Sequence, residues 1–246
     1  MTADNVKRRR ALVAGGASGI GAATAVRLAA TGIDVLITDI DAANGARLAG
    51  EIGGIFVAVD LTDHAAVSAA LAHRGPFDIL VNSAGADQHA FFTQTGPQDW
   101  ARLIALNLGA VFNTTHAVLP GMQQARYGRI VNVASEAGRL GSRGGSVYAA
   151  AKGGVIAFTR SIARENGRMG ITANVVAPGP IDTPMLRRAV EDGGEKLMAA
   201  MTSATLVGRL GTPQEIAAII AFLASDDAGY VTGEVLGASG GMGCGA

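Results

Sequence analysis

Short runs of apolar residues alternate with longer, Ala-rich stretches along the whole chain. The short runs predict buried strands, because a parallel sheet is covered on both faces and leaves few polar positions in its strands. The longer stretches repeat apolar residues at helical spacing and predict helices. The predicted strands are residues 10–14, 34–38, 55–59, 77–81, 129–134, 171–176 and 234–236. The predicted helices are residues 22–30, 42–52, 63–72 (with Asp63 as N-cap), 98–125, 148–167 and 212–224.

The alternation of strands and helices predicts the fold class. A strand, a helix and a second strand form a right-handed crossover, and repeated crossovers build a parallel sheet with helices on both faces. We therefore expect an α/β protein: one Rossmann-type domain over residues 1–246, with a doubly wound parallel sheet of about seven strands. Neither a Pro/Ser-rich linker nor an internal repeat interrupts the pattern. Ligands of such sheets bind beyond the carboxyl ends of the strands.

Composition narrows the class of partner. Twenty basic and twenty acidic residues balance, so we expect a small-molecule substrate rather than nucleic acid or a membrane surface. The longest apolar run, residues 216–224, is far shorter than the roughly 18 residues that indicate a membrane span. The basic cluster at residues 7–10 runs into a glycine-rich loop, which argues against a signal peptide. The single cysteine, Cys244, suits a reducing cytoplasm, and four scattered histidines predict no metal site.

A glycine-rich loop follows the first predicted strand and opens the first helix. Gly15, Gly19 and Gly21 let the backbone approach a pyrophosphate, whose charge the helix N-terminus attracts. Ser18 and Ile20 belong to the same predicted binding loop. The spacing differs from G-x-G-x-x-G, and glycine-rich turns also serve tight packing, so the loop needs support from its context.

Asp39 supplies that context at the end of the second predicted strand, eighteen residues beyond Gly21. A carboxylate there accepts hydrogen bonds from the ribose hydroxyls of an adenosine, and it repels a 2′-phosphate. We therefore expect NAD as the cofactor, with NADP disfavoured. A second interpretation is that Asp39 caps the following turn, a role equally open to Asp41.

The next two strand ends carry further polar or small residues. Asp60 and Leu61 follow the third predicted strand, and Asn82, Ala84 and Gly85 follow the fourth. Each group is compatible with an ordinary turn. At successive strand ends on the ligand side, they are predicted to line the adenine and the nearer ribose.

Tyr148 and Lys152 lie four residues apart on a predicted helix and therefore share one face. A free phenol has a pKa of about 10, so it is a poor base near neutrality unless a neighbouring cation favours the phenolate. Ser135 ends the fifth predicted strand, where its hydroxyl can stabilise charge on a substrate oxygen. This set predicts general acid–base chemistry.

Taken together, these motifs resemble the short-chain dehydrogenase/reductase family, in the same order and over essentially the whole chain. The resemblance implies a nicotinamide cofactor and hydride transfer between a secondary alcohol and a ketone. It implies that Tyr148 is the general acid or base, that Lys152 holds the nicotinamide ribose, and that Ser135 hydrogen-bonds the substrate oxygen. The residues that carry it are Gly15, Gly19, Gly21, Asp60, Asn82 to Gly85, Asn107, Ser135, Tyr148, Lys152, Pro178 and Gly179.

Two further roles depend on the same resemblance. Asn107 would hold a water that relays protons from Lys152. The segment from Pro178 and Gly179 to Thr183 would fix the nicotinamide carboxamide, with Ile181 offering its backbone and Thr183 its hydroxyl. A Pro/Gly turn after the sixth strand is the simpler interpretation of that segment. The resemblance also implies a homo-oligomer, and a homotetramer is favoured.

The substrate side of the sequence is less specific. Residues 183–205 mix Pro, Gly, Met and Leu, which suits a mobile cover over a substrate and equally an amphipathic surface helix. Residues 87–89 and the arginines Arg139 and Arg143 either approach the pocket mouth or lie in exposed loops. Several segments are similar to 2-hydroxycyclohexanecarboxyl-CoA dehydrogenases and, next, to 3-oxoacyl carrier-protein reductases, so a cyclic or acyl-thioester substrate is expected.

Two alternatives come from other classes of protein. A nucleotide-sensing regulator keeps the glycine loop and binds the cofactor without turnover, but it has no need of Ser135, Tyr148 and Lys152. A Rossmann-like methyltransferase shares a glycine-rich turn and an acidic residue such as Asp39, and it binds S-adenosylmethionine. Neither explains the Tyr/Lys pair.

Overall fold

The structure is a computed structural model that describes residues 8–244, and Lys7 of the basic cluster lies outside the described residues. Seven strands form one sheet, in which every neighbouring pair is parallel. They are β1 (Arg10–Ala14), β2 (Asp34–Asp39), β3 (Ile55–Ala58), β4 (Ile79–Asn82), β5 (Gly128–Val133), β6 (Ile171–Pro178) and β7 (Val235–Ala238). The strand order is β3-β2-β1-β4-β5-β6-β7, which confirms the predicted doubly wound sheet.

Nine α-helices accompany the sheet in the described part of the chain. They are α1 (Gly19–Ala30), α2 (Ala42–Ile52), α3 (His64–Leu71), α4 (Pro97–Ile104), α5 (Ala110–Ala125), α6 (Ala137–Leu140), α7 (Ser146–Asn166), α8 (Pro184–Ser203) and α9 (Pro213–Leu223). A π-helical turn, Ala105–Gly109, joins α4 to α5 without a break.

Alternate residues of the central strands enter opposite layers of the core. Ala11 and Val13 of β1 pack in the layer formed with α1, α2 and α9. Leu12 and Ala14 pack in the other layer, with α3, α5 and α7. Because strand side chains alternate between faces, a strand covered on both sides needs apolar residues at every position. That is why continuous apolar runs identified the strands.

The crevice that receives ligands lies where the strand order reverses. From β1 the chain adds β2 and β3 on one side, and from β4 it adds the remaining strands on the other. The loops after β1 and β4 therefore diverge and open a gap at the carboxyl edge of the sheet. The predicted motifs lie on this edge.

The structure keeps the predicted order of elements and changes some boundaries. Helix α1 begins at Gly19, three residues earlier than expected, inside the glycine loop. Strand β6 continues two residues further, to Pro178, because it pairs with β7 as far as Ala238. Strand β4 begins two residues later, because the side chain of Asp78 accepts the backbone N–H of Arg10 at 2.8 Å before the regular ladder starts.

One helix was not predicted, and another was one of two alternatives. Helix α6 is a single turn after β5. Helix α8 occupies the segment described as a cover or a surface helix, and a positive φ of 69° at Gly194 kinks it. Leu186 and Ala189 are buried in its first half.

By length and composition, the continuous helix Pro97–Ala125 is long and apolar enough to cross a membrane. Its mean hydropathy over 18 residues is 1.3. Its position argues for a different role. Val118 and Met122 are buried in the core layer beneath β4 and β5, and the π-helical turn carries the buried Asn107. We therefore interpret it as a core helix of the α/β fold.

Candidate active site

The glycine loop makes a cradle that side chains would fill. Gly15 has a positive φ of 75°, and a Cβ there would collide with the backbone of Ala84. A Cβ at Gly21 would collide with the carbonyl oxygen of Gly15. The loop is anchored by the backbone N–H of Gly15, which donates to the carbonyl of Thr38 at 2.8 Å. Glycine is therefore required by close backbone packing at the carboxyl end of β1.

The N-terminus of α1 opens on this cradle. Its N-cap residue, Ser18, is exposed and makes no side-chain hydrogen bond to the helix within the described residues. The first turn, from Gly19, contains no acidic side chain. The first N–H groups and the positive end of the helix dipole are thus available to an anion, as a pyrophosphate requires.

Asp39 joins the glycine loop to the end of β2. Its Oδ2 accepts the backbone N–H of Ala17 at 3.0 Å, and its Oδ1 accepts that of Asp41 at 3.1 Å. Asp41 in turn caps α2 by accepting the backbone N–H of Asn44 at 3.1 Å. The structure therefore confirms that Asp39 braces the following turn. Its contact with a ribose stays a prediction, for which the carboxylate has further lone pairs.

The residues predicted to line the adenine differ in their exposure to solvent. Asp60 is exposed, and hydrogen bonds from Thr62 hold the pKa of its carboxyl below the usual range. Leu61 is buried, and its carbonyl accepts the Nδ2 of Asn113 at 2.9 Å. The backbone of Ala84 lies against Gly15, on the floor of the cradle.

The side chain of Asn82 corrects a prediction. Its Nδ2 donates to Oδ1 of Asn132 at 2.8 Å, and its Oδ1 accepts from Thr114 at 2.6 Å. Asn132 continues the chain of bonds to Thr159 at 2.9 Å. The side chain of Asn82 therefore ties β4 and β5 to α5 and α7 inside the core, and only its backbone is left to face a cofactor. A buried amide must find internal partners, and these partners are far apart in sequence.

Asn107 lies in the π-helical turn and is fully buried. Its Nδ2 donates to the carbonyls of Ala86 at 2.9 Å and Leu103 at 3.0 Å, and its Oδ1 accepts the N–H of Ala86 at 3.3 Å. A Cβ at Gly85 would fall 2.7 Å from Asn107 Oδ1 and 3.3 Å from Lys152 Nζ. The structure thus brings Asn107, Gly85 and Lys152 together.

Tyr148 and Lys152 share one face of α7, as the spacing predicts. Nζ of Lys152 lies 5.8 Å from the centre of the Tyr148 ring and donates to the carbonyl of Val133 at 3.1 Å. The Ser135 hydroxyl lies near enough to the phenol to lower the pKa of Tyr148, and Ser135 Oγ accepts the N–H of Ala137 at 3.1 Å. The three proposed catalytic side chains therefore meet beside the end of β5.

The electrostatics of this cluster differ from the expectation. Burial raises the pKa of Tyr148 to about 12, and the negative charge of Asp87 adds to the rise. Burial lowers the pKa of Lys152 to about 8, against the opposing effect of Asp87. The protein by itself therefore does not favour the phenolate, because the loss of solvation and the charge of Asp87 outweigh the lowering effect of Ser135. Near neutral pH the phenol is protonated and is a proton donor.

The segment after β6 lies at the carboxyl edge of the sheet, beside the glycine loop. A Cβ at Gly179 would crowd the backbone of Ser239. Ile181 forms an isolated parallel bridge with Gly211. In this bridge the N–H of Gly211 donates to the carbonyl of Pro180, and the N–H of Asp182 donates to the carbonyl of Gly211. The N–H and C=O of Ile181 itself have no partner in the described residues, so they can bind an amide. Thr183 caps α8 by accepting the N–H of Leu186, and it lies beside Gly19.

The roles of three charged residues were not evident from the sequence. Glu136 is almost fully buried and pairs with Arg139 at 3.0 Å beneath Gly237, so this pair lies under the C-terminal segment. Arg143 stacks over the ring of Phe91, 5.5 Å from its centre. The burial of Glu136, next to the proposed catalytic Ser135, gives no distinctive sequence signal, because its pairing with Arg139 under Gly237 depends on the tertiary structure.

Metal ligands do not converge anywhere in residues 8–244. The prediction of a metal-independent site stays a prediction. What the described residues do assemble is a glycine cradle, an open helix N-terminus and a Ser/Tyr/Lys cluster along one edge of a parallel sheet. These features define a dinucleotide-binding α/β protein.

Comparisons with known proteins extend this assignment. Residues 15–243 match the family model described as Enoyl-(Acyl carrier protein) reductase. The chain is 41% identical over 245 residues to 3-oxoacyl-(acyl-carrier-protein) reductase of Escherichia coli (strain K12), covering 97% of this chain and 98% of the relative. It is 40% identical over 239 residues to acetoacetyl-CoA reductase of Shinella zoogloeoides, covering 95% and 98%. A solved structure described as a short chain dehydrogenase/reductase family protein matches with a TM-score of 0.88 at 36% identity, covering 94% and 96%.

The chain belongs to the short-chain dehydrogenase/reductase family. It is an oxidoreductase that acts on hydroxyl or carbonyl groups of small molecules and uses a nicotinamide cofactor. The family resemblance and the single-domain α/β Rossmann fold expected from the sequence are thereby confirmed.

Proposed function

We propose that this chain is an NAD-dependent dehydrogenase/reductase that interconverts a secondary alcohol and a ketone carried on an acyl thioester. The observation that carries the proposal is the Tyr148 phenol, kept protonated beside Ser135 and Lys152. Two relatives are a 3-oxoacyl-(acyl-carrier-protein) reductase and an acetoacetyl-CoA reductase, and their names support a thioester substrate. A cyclic thioester stays within this class.

The cofactor side of the crevice fits a dinucleotide. The cradle at Gly15 and Gly21, the free N-terminus of α1 and the unpaired backbone groups of Ile181 suit pyrophosphate and carboxamide. Bound there, the nicotinamide supplies the hydride that is transferred or accepts it. Lys152 is placed to bind a ribose hydroxyl through the two donors that Val133 leaves free.

In the reducing direction, Tyr148 donates its proton to the substrate oxygen as negative charge develops on it. Ser135 donates a hydrogen bond to the same oxygen and lowers the barrier. Asn107 holds the backbone of Ala86 beside Lys152, where a water can pass a proton from the ammonium towards the phenol. Burial lowers the pKa of Lys152 to about 8, which makes the ammonium a better proton source near neutral pH.

The preference for NAD rests on Asp39. Its carboxylate lies at the glycine loop, and the neighbouring positions Ala17, Ser18 and Ile40 offer no cation for a 2′-phosphate. Ile40 is largely exposed and leaves the edge of the site uncharged. A 2′-phosphate there would meet a like charge with nothing to offset it.

Three further features complete the proposal. Helix α8, with its kink at Gly194, is the substrate lid at about residues 183–205. A homotetramer is the proposed assembly, and the exposed Phe112 on α5, whose ring centre lies 4.7 Å from that of the partly buried Phe158 on α7, offers apolar surface to another copy. The cytoplasm is the proposed location, which suits the one free cysteine, Cys244.

An absorbance assay of reduced nicotinamide tests the proposed function. Acetoacetyl-CoA, a 3-oxoacyl carrier protein and a cyclic 2-oxoacyl-CoA are offered with NADH and NADPH separately, and simple ketones serve as the non-thioester control. Turnover of thioesters with NADH supports the proposal. Cofactor binding without turnover of any substrate would instead favour a nucleotide-sensing protein.

A further inference from the structure

A buried glutamine follows β4 and reaches the catalytic helix. Gln88 is 7% exposed, and its Oε1 accepts the backbone N–H groups of Val147 at 3.0 Å and Tyr148 at 3.2 Å. Its Nε2 donates to the carbonyl of Ala90 at 3.0 Å. Both ends of the amide are thus satisfied inside the protein, and one end grips the backbone of the proposed general acid.

Helix α7 needs this contact because its own N-cap has no side chain. The first N–H groups of a helix lack internal partners, and an N-cap oxygen normally accepts from the second or third of them. Gly145 holds the N-cap position of α7 and makes no side-chain cap. Gln88 supplies the missing acceptor to Val147 and Tyr148 from 59 and 60 residues away in sequence.

The segment that carries Gln88 also contacts the π-helical turn that carries Asn107. Ala86 exchanges two hydrogen bonds with Asn107, at 2.9 and 3.3 Å. The Oδ1 of Asp87 accepts the backbone N–H of Gln88 at 2.8 Å and stiffens the turn between the two contacts. Residues 86–88 therefore link the π-helical turn of Asn107 to the first turn of α7.

We propose that Gln88 is a positioning residue, which caps α7 from the loop after β4 and holds Tyr148 in register with Ser135 and Asn107. The role rests on the proposed function of Tyr148 as the general acid. Displacement of a reacting group by about 1 Å can cost on the order of 100-fold in rate, so a clamp on the first turn of α7 acts directly on turnover. Most of the proposed cofactor contacts come from the glycine loop, Asp39 and Ile181, which lie outside α7, so NADH affinity should change little.

Two nearly isosteric variants separate the hydrogen bond from packing. Gln88→Met fills a similar volume and removes the acceptor, and we expect kcat to fall on the order of 10-fold to 100-fold with the Kd for NADH unchanged. Gln88→Glu keeps an acceptor for both N–H groups but loses the donor to Ala90, so we expect its kcat to lie between those of Gln88→Met and wild type at its own optimum pH. If both variants still bind NADH, the fold has survived in both.

A readout without substrate keeps this test independent of the proposed function. Hydrogen exchange of the backbone amides of Val147 and Tyr148 is followed by NMR in the full chain without substrate. Gln88→Met removes the oxygen that accepts both N–H groups, so both amides should exchange faster than in wild type. Gln88→Glu keeps an acceptor for both groups, so it should restore slow exchange.

Asp63→Ala is the matched control, because Asp63 caps α3 by accepting the N–H of Ala66 at 3.0 Å, away from the cluster. It should lower thermal stability and leave kcat and the exchange of the Val147 and Tyr148 amides unchanged. The proposal is overturned by a Gln88→Met enzyme with wild-type kcat, or by Gln88→Glu that binds NADH but recovers none of the loss. If wild type turns over no substrate, wild-type exchange of both amides in Gln88→Met still overturns it.

Discussion

The two sides of the crevice are built from different kinds of chemical group. On the cofactor side, the contacts are mostly backbone, and they depend on the absence of side chains at Gly15 and Gly21. On the catalytic side, the contacts are side chains, and loops distant in sequence hold Tyr148 and Asn107 in place. The cofactor side can therefore be recognised from a local motif, whereas the catalytic side depends on packing across the whole domain.

Tyr148→Phe tests the catalytic side most severely. Removing the hydroxyl removes the proton donor but keeps the ring, so turnover should fall at least about 1000-fold while NADH binding stays unchanged. Steady-state assays and fluorescence titration of NADH measure the two effects. Full activity of this variant would remove Tyr148 from the mechanism.

Gly15→Ala tests the cofactor side. The added Cβ meets the backbone of Ala84 at a residue whose φ is 75°, so the loop must move out of the cradle. We expect NADH binding to weaken by on the order of 100-fold, measured by calorimetry. Gly32→Ala is the control, since Gly32 also has a positive φ, of 83°, but a Cβ there has open space. Equal NADH affinity in both variants would mean that close approach is not the cause.

Asp39→Ala asks whether one side chain sets cofactor choice on a side otherwise built from backbone. Removing the carboxylate removes both the ribose contacts and the repulsion of a 2′-phosphate, so the ratio of kcat/KM for NADH over NADPH should fall by about 10-fold to 100-fold. Ala17 loses a hydrogen bond at the same time. Asp39→Asn, which keeps an acceptor for Ala17, separates the two effects. An unchanged ratio in both variants contradicts the assignment.

Asp87→Asn gives the mildest effect and concerns charge alone. The negative charge of Asp87 raises the pKa of Tyr148 and also that of Lys152, so its removal should lower both. Reduction requires the protonated phenol, so in Asp87→Asn the loss of reductase activity at high pH should begin at a lower pH than in wild type. Ketone reduction measured across the alkaline range checks this shift. A shift to higher pH would contradict the sign of the electrostatic argument.

The sequence predicted the local part of the crevice more completely than the part held by distant contacts. The glycine loop and Asp39 were placed at the carboxyl edge of the sheet from local spacing, because a strand–loop–helix unit contains its own structural context. The side chain of Asn82 lies in the core instead, because an amide after a strand can turn either to the ligand or to the core. Its partners, Asn132 and Thr114, are 50 and 32 residues away. Gln88 was noticed only as a residue after strand four, since nothing local indicates that it caps a later helix.

The chain by itself determined the order of strands and helices, the family and the identity of the groups near the reaction centre. These follow from residue periodicity and short motifs, which are local properties. Only the tertiary structure decided the protonation of those groups. Burial and the negative charge of Asp87 keep the phenol of Tyr148 protonated, and burial lowers the pKa of Lys152, the reverse of what their spacing alone predicts. The physical reason is that desolvation depends on everything that surrounds a side chain, and a linear pattern does not contain that information.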